Sequence, residues 1–168
     1  INVAAQFHGV YAAVGMQPNY LAEAKPGDWE RILAMLDRPK IVAIGETGLD
    51  FFRTGENGLA AQIASFEGHI EIAKRHGIAL QIHDRDAHDE VIQTLRRVGA
   101  PERTVFHCFS GDAAMAKLCA DEGWYLSFAG TVTFKNATGL REALEVIPRS
   151  QILIETDAPF LTPEPTRG

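Results

Sequence analysis

Short apolar runs alternate with amphipathic segments along most of the chain. Six runs have the length and content of buried strands, at residues 11–15, 40–44, 79–83, 104–108, 124–128 and 151–155. Apolar residues at the helical spacing i, i+3, i+4, i+7 fill the intervals between them. This pattern predicts helices that begin near residues 28, 59, 87, 112 and 138, and residues 1–7 resemble the tail of a further helix. Strands that alternate with helices predict βαβ units and a parallel sheet.

Local signals at the helix ends support these predictions. Asp28 and Asp112 precede apolar faces and are suited to be N-cap residues. Gly77 follows the last apolar position of one helix, as expected for a left-handed cap, Gly99 stops the next helix, and Pro148 ends the last one.

The number of units bears on the type of α/β fold. Six βα units are fewer than the eight of a closed (β/α)8 barrel, and an open arc would leave bare sheet edges. We therefore predict an incomplete TIM-type barrel with about six of eight βα units, without the first strands and the last helix. The chain is expected to be one internal fragment and one hydrolase domain, residues 1–168. A doubly wound open sheet is the alternative fold.

Composition excludes some classes of protein. The net charge of -6 over 168 residues argues against a broad basic surface for nucleic acid, although bound cations can still bring phosphates to an acidic protein. No apolar run approaches the ~18 residues that span a bilayer, and no signal peptide is visible. The two cysteines, Cys108 and Cys119, form no CxxC pair and are expected to be reduced thiols. We expect a cytoplasmic protein that does not bind a membrane and has no obligate protein partner.

Four of the predicted strands end in a potential metal ligand. These residues are Glu46, His83, His107 and Asp157. A surface acid or a core histidine would explain any one of them alone, but chemistry gathers at the carboxyl ends of parallel strands. Two carboxylates and two imidazoles there predict a metal site, and such donors suit Mg, Mn or Zn.

Neighbouring residues add weaker signals. Glu46 lies between Gly45 and Gly48, which would allow close approach of ions and backbone. Ser110 and Gly111 are expected to open a helix, where free backbone N–H groups favour a phosphate.

Five motifs in order, VGMQP, IGETGLD, IHDRDA, HCFSG and IETDAPFLTP, extend over essentially the whole chain. Together they resemble the TatD family of metal-dependent deoxyribonucleases in the amidohydrolase superfamily. The resemblance implies a (β/α)8 barrel with one or two divalent metals at the strand ends.

The same resemblance implies roles for individual residues. Glu46 looks like the shared carboxylate ligand, His83 and His107 look like ligands of the second metal, and Asp157 looks like a first-metal ligand and general base. Glu46 and Asp157 are thus the expected catalytic residues.

Other positions match the family motifs with less specific roles. The resemblance suggests that Arg85, Ser110 and Gly111 orient phosphate. Asp50 and Glu155 also match, as supporting or structural residues.

The sequence departs from the family pattern in two places. It contains no His-x-His pair of the kind that ends the family's first strand, and Gln17 stands where the family usually has histidine. Gln17 can hydrogen-bond a substrate, but it cannot carry a proton between pH 5 and 8 as histidine can.

The resulting hypothesis is hydrolysis of phosphodiester bonds in DNA, with single-stranded DNA or 3′ ends as the substrate. A metal-activated water would attack phosphorus and pass its proton to Asp157. The alternatives are an esterase, lactonase or aminoacyl-ester hydrolase with the same chemistry, and a degenerate, non-catalytic barrel.

Overall fold

The computed structural model describes residues 1–55 and 58–166. The chain divides into two units, residues 1–104 and residues 105–168.

The first unit is built around three parallel strands, paired in the order β1–β2–β3. Its elements are α1 (Asn2–Gln6), β1 (Ala12–Val14), a 3-10 helix (Pro18–Glu23), α2 (Asp28–Leu36), β2 (Ile41–Asp50), α3 (Phe51–Thr54), α4 (Leu59–His76), β3 (Ala79–Arg85) and α5 (His88–Val98).

The core of this unit lies between its strands and the helices α4 and α5. Its fully buried apolar side chains include Ile44, Leu49, Phe66, Ile70, Leu80, Ile82, Val91 and Leu95. Helix α4 ends where Gly77 takes the left-handed conformation, with φ 61°. The apolar spacing along α4 and α5 therefore corresponds to the faces that they bury.

The second unit repeats the parallel pattern with three further strands, paired in the order β4–β5–β6. Its elements are β4 (Thr104–Phe106), α6 (Ala113–Asp121), β5 (Tyr125–Phe128), a 3-10 helix (Gly130–Thr133), α7 (Thr138–Val146), a 3-10 helix (Arg149–Gln151) and β6 (Ile152–Ile154).

Aromatic pairs form much of the core of the second unit. The rings of Phe106 and Trp124 lie 5.7 Å apart, and those of Phe109 and Phe128 also lie 5.7 Å apart. Asp112 caps α6 by accepting a hydrogen bond from the Met115 N–H, as predicted.

All six predicted strands and the principal helices are present, so the prediction of a parallel α/β fold is confirmed. Two strands are longer than predicted: β2 continues to Asp50 and β3 to Arg85, so Glu46 and His83 lie within strands. The cap of α2 differs as well. Gly27, with φ 91°, is the N-cap, and Asp28 is the first helical residue. The carboxylate of Asp28 accepts the Lys25 N–H outside the helix instead.

None of the described helices has both the length and the apolar content needed to cross a membrane.

Candidate metal centre

Three side chains on β2 and β3 form a hydrogen-bonded group, the His83 cluster, which consists of Glu46, Asp50 and His83. Nδ1 of His83 lies 2.8 Å from Oε1 of Glu46, and Nε2 lies 2.9 Å from Oδ2 of Asp50. The Asp50 side chain is 0% exposed, whereas that of Glu46 is 28% exposed. One imidazole thus lies between a buried and an accessible carboxylate.

Two glycines on β2 allow β3 to come close enough to form this cluster. A Cβ on Gly48 would lie 2.1 Å from the His83 carbonyl oxygen, and one on Gly45 would lie 2.5 Å from the Gln81 carbonyl oxygen. Their φ angles of 121° and 143° also disfavour other residues. The close approach expected around Glu46 is therefore that of the β3 backbone.

Asp50 is held by the surrounding structure independently of His83. Its Oδ2 accepts a hydrogen bond from Nδ2 of Asn19 at 2.9 Å, and its Oδ1 accepts the Arg53 N–H at 2.8 Å, which caps α3. Its backbone N–H donates to Oε1 of the buried Gln62. These contacts leave the Asp50 carboxylate little freedom to move.

The cluster shifts the proton affinities of its members in opposite directions. Burial alone would raise the pKa of Asp50, but hydrogen bonds from Asn19, Arg53 and His83 lower that pKa below its ordinary value. Burial alone would lower the pKa of His83, but its hydrogen bonds to Glu46 and Asp50 and their charges raise that pKa. Both shifts favour charged carboxylates beside the ring.

A second group in the other unit, the His107 cluster, consists of His107, Glu155 and Asp157. Nδ1 of His107 lies 2.7 Å from Oε2 of Glu155, and Nε2 lies 3.4 Å from Oδ1 of Asp157. His107 directly follows β4 and Glu155 directly follows β6. The side chains of His107 and Glu155 are each 15% exposed, whereas that of Asp157 is 38% exposed.

Glu155 is fixed by its neighbours on β5. The Ser127 hydroxyl donates to Oε2 of Glu155 at 2.8 Å, and the Glu155 N–H donates to the Phe128 carbonyl. Burial alone would raise the pKa of Glu155, but hydrogen bonds from His107, Ser127 and the Cys108 N–H lower it. The second cluster therefore repeats the arrangement of the first, with one held and one accessible carboxylate.

The donor set fits a divalent cation. Imidazole nitrogens and carboxylate oxygens are common ligands of zinc and manganese. As they stand, the described residues contain no group of three or more His, Cys, Asp or Glu side chains placed to hold a metal ion. Each imidazole nitrogen of the two clusters instead bonds or approaches a carboxylate oxygen. A bound cation would take the place of one of these two oxygens beside each ring.

Gln17, which was predicted to contact substrate, lies at the start of the 3-10 helix Pro18–Glu23. Its Oε1 accepts the Asn19 N–H at 2.7 Å and so caps that helix. Gln17 also lines a cavity of about 450 Å³ together with Tyr20 and Arg31. The residue thus positions the segment that carries Asn19, the hydrogen-bond donor to Asp50.

The residues predicted to orient phosphate have different surroundings. Arg85, the last residue of β3, lies with its guanidinium 4.0 Å from the centre of the exposed Phe52 ring. Ser110 and Gly111 precede the Asp112 cap of α6, so they lie in the loop before the helix and do not open it. The Asp112 side chain, rather than an anion, accepts the Met115 N–H at that helix start.

His69 and His88 have structural contacts. His69 is fully buried, its Nε2 accepts the Met16 N–H, and its Nδ1 donates to the Ser65 carbonyl. Burial lowers the pKa of His69 to about 4. His88, the first residue of α5, bonds Asp84 at 2.7 Å.

Sequence reasoning did not find Asn19 and Ser127, the residues that hold Asp50 and Glu155. Neither belongs to a charged pair or a ligand motif, and each lies about 30 positions from its partner. No local signal in the chain distinguishes them from other polar loop and strand residues.

Known proteins resemble this chain over nearly its whole length. The family described as "TatD related DNase" matches residues 1–168. The chain is 48% identical over 95% of its length to an uncharacterized metal-dependent hydrolase, TatD, of Mycobacterium tuberculosis, and covers 62% of that relative. It is 32% identical over 99% of its length to a Salmonella typhimurium protein named 3′-5′ ssDNA/RNA exonuclease TatD, and covers 66% of it.

A solved structure shows the same fold. The TatD homologue YjjV of Escherichia coli matches 99% of this chain with a TM-score of 0.90 and 30% identity, and 65% of its own length is covered. The alternating parallel strands and helices, together with this likeness, define the fold class as α/β of the TIM-barrel type. The chain belongs to the TatD family, and it spans about two thirds of the length of these relatives.

Proposed function

We propose that this chain carries the chemistry of a divalent-metal-dependent hydrolase that cleaves phosphodiester bonds of DNA. The observation that carries the proposal is the repeated cluster, in which an imidazole on or directly after a parallel strand lies between two carboxylates. The relatives named metal-dependent hydrolases support it, as does the order of the four proposed ligands along the chain.

The proposed ligands are Glu46, His83, His107 and Asp157, which would bind one or two cations. A bound divalent cation would lower the pKa of a coordinated water and offset the negative charge of the phosphate. Zn, Mn and Mg all remain compatible with imidazole and carboxylate donors.

Asp157 is the proposed general base. Its side chain is 38% exposed, and its Oδ1 lies 3.4 Å from Nε2 of His107. The carboxylate can therefore reach a water molecule and accept its proton. Glu46 is also accessible and would serve as a ligand, whereas Gln17, Arg85, Ser110 and Gly111 are proposed to contact the nucleic acid.

Single-stranded DNA or its 3′ ends are the proposed substrate. One relative carries the name of a 3′-5′ exonuclease for single-stranded DNA and RNA. The net charge of -6 makes bound cations the natural partners of substrate phosphates.

The test is hydrolysis of single-stranded DNA by the purified protein with added Mg²⁺ or Mn²⁺. Asp157→Asn should lower kcat by about 10² to 10⁴, the usual contribution of a general base. Asp121→Asn changes an exposed aspartate that pairs with Lys117 and is the matched control. Activity that persists in Asp157→Asn or in EDTA would refute the proposal.

A substrate panel separates the nuclease from an ester hydrolase. Single-stranded DNA, a lactone and an aminoacyl ester would be compared with the same metal-loaded protein. We expect turnover of DNA. Full activity on the esters with none on DNA would show that the same residues serve ester hydrolysis instead.

We also propose that residues 1–168 act as one hydrolase domain. Trp29 and Trp124 report on the first and the second unit respectively. Coincident denaturation curves for Trp29→Phe and Trp124→Phe would support this, and separate transitions would contradict it. The cytoplasmic location expected from the two cysteines, which form no CxxC pair, stays a prediction.

A further inference from the structure

Each cluster histidine has two carboxylate neighbours that differ in their surroundings. Asp50 is 0% exposed and Glu155 is 15% exposed, whereas Glu46 and Asp157 are 28% and 38% exposed. The difference matters because a cation must displace one neighbour from each ring.

In the His83 cluster, Asp50 cannot easily move. Its two oxygens together accept hydrogen bonds from Asn19, Arg53 and His83. Among the described residues, His83 is the one hydrogen-bond partner recorded for the Glu46 carboxylate. Glu46 is therefore the neighbour that can turn away from the ring.

In the His107 cluster, Glu155 has the corresponding position. Oε2 of Glu155 accepts from both His107 and the Ser127 hydroxyl, and its backbone continues the pairing of β6 with β5. Asp157 lies three residues past the end of β6 and is 3.4 Å from the ring, beyond a good hydrogen bond.

A neutral imidazole carries one N–H, so only one of its nitrogens can bond a carboxylate as a donor while the other keeps a lone pair. Metal-binding histidines commonly donate this N–H to a carboxylate, which fixes the ring and its tautomer. The held carboxylates face Nε2 of His83 and Nδ1 of His107. The lone pairs would then be on Nδ1 of His83 and Nε2 of His107.

We propose that Asp50 and Glu155 are positioning residues, which hold His83 and His107 in the tautomers that present Nδ1 and Nε2, respectively, to metal. This inference rests on the proposed function, because it takes the two histidines as metal ligands. Asn19 and Ser127 support the two carboxylates in turn.

The experiment measures Zn²⁺ affinity of the purified protein in competition with a chromophoric chelator. Asp50→Asn and Glu155→Ala should each weaken binding by about 10- to 100-fold, the usual cost of losing such a partner. Glu155→Gln should lie at the low end of this range, since its carbonyl oxygen can still accept from His107 and Ser127. Circular dichroism verifies that each variant is folded.

Two further sets of variants separate this inference from the proposed function. Glu71→Gln and Asp121→Asn change exposed carboxylates that pair with lysines, and they should bind Zn²⁺ as the unchanged protein does. His83→Ala and His107→Ala should lose affinity. If the two histidine variants lose affinity while Asp50→Asn and Glu155→Ala bind normally, the positioning role is wrong and the ligand assignment stands. Normal binding by His83→Ala and His107→Ala would overturn the ligand assignment itself.

A measurement on the unchanged protein does not depend on whether any variant folds. The ¹⁵N shifts of the imidazole rings in the Zn²⁺-loaded protein should show a protonated Nε2 for His83 and a protonated Nδ1 for His107. The opposite tautomer at either residue would refute the role of the corresponding carboxylate.

Discussion

The His83 cluster and the His107 cluster use the same pairing of one imidazole with a held and an accessible carboxylate, but they are tied to the fold differently. Asp50 caps α3, bonds Asn19 and is joined through its backbone to Gln62. Glu155 is held mainly through Ser127 on the neighbouring strand. Asp50 therefore contributes to the stability of the fold as well as to the site, whereas Glu155 contributes mainly to the site.

The largest expected difference concerns the glycines near the two histidines. Gly48→Ala should destabilise the protein by about 4 kcal/mol, because the new Cβ would meet the His83 carbonyl oxygen and φ is 121°. Gly111→Ala should cost only about 1 to 2 kcal/mol, since its Cβ would meet the flexible Met115 side chain and the Phe109 ring.

Chemical denaturation of the two glycine variants measures this difference. Gly9→Ala is the control, because nothing lies within 4 Å of its added Cβ. Equal losses of stability in Gly48→Ala and Gly111→Ala would show that the close approach of β2 and β3 does not set the cost of the substitution at Gly48.

The second prediction compares the two held carboxylates directly. Asp50→Ala should lower the free energy of unfolding by about 3 kcal/mol, because it removes the cap of α3 and leaves Asn19 and the Arg53 N–H without their acceptor. Glu155→Ala should cost about 1 to 2 kcal/mol. Urea denaturation of metal-free protein is the measurement, and a larger loss for Glu155→Ala would reverse the comparison.

The third prediction concerns acid sensitivity in the first unit. His69 has a pKa of about 4 when folded, below its ordinary value of 6.5, so the unfolded chain binds more protons between these values. Its contribution to stability is complete above pH 6.5 and is lost as the pH falls through 4, by roughly 2 to 3 kcal/mol.

Denaturation between pH 4 and 7 checks this dependence. His69→Gln, which can still accept the Met16 N–H, should remove most of the slope over this range. The second unit offers no equivalent test, because its one histidine, His107, lies in the candidate site. An unchanged slope in His69→Gln would assign the acid sensitivity to other groups.

The smallest expected effect is at the contact between Arg85 and the exposed ring of Phe52. Phe52→Leu should cost about 0.5 to 1 kcal/mol in stability, since it removes a cation–π contact at an exposed site. If Arg85 contacts substrate as proposed, Arg85→Ala should raise KM for single-stranded DNA more than Phe52→Leu does. Equal KM values for the two variants and the unchanged protein would exclude that role.

Much of the fold was predictable because the repeating apolar spacing is local. The face of α4 and the stop at Gly77 were both visible in the chain. The short helix α3 was not, because it depends on the cap from Asp50 rather than on its own apolar pattern. The extension of β2 was also missed, since Gly45 and Gly48 normally end a predicted strand.

The site was predictable to a similar degree. Glu46 and His83 form a hydrogen-bonded pair, His107 lies near Asp157, and the metal roles of these four residues stay a prediction. The expectation that Ser110 and Gly111 open a helix was wrong, because Asp112 is the cap and the helix begins one residue later.

By itself, the sequence determined the order of strands and helices, the potential ligands at the strand ends and the membership of the TatD family. Only the tertiary structure decided which carboxylate beside each histidine is held and which ring nitrogen it faces. The physical reason is that Asp50 and Glu155 are immobilised by burial and by partners 31 and 28 positions away in the chain. Packing of separate elements brings such partners together, and no local pattern of residues encodes it.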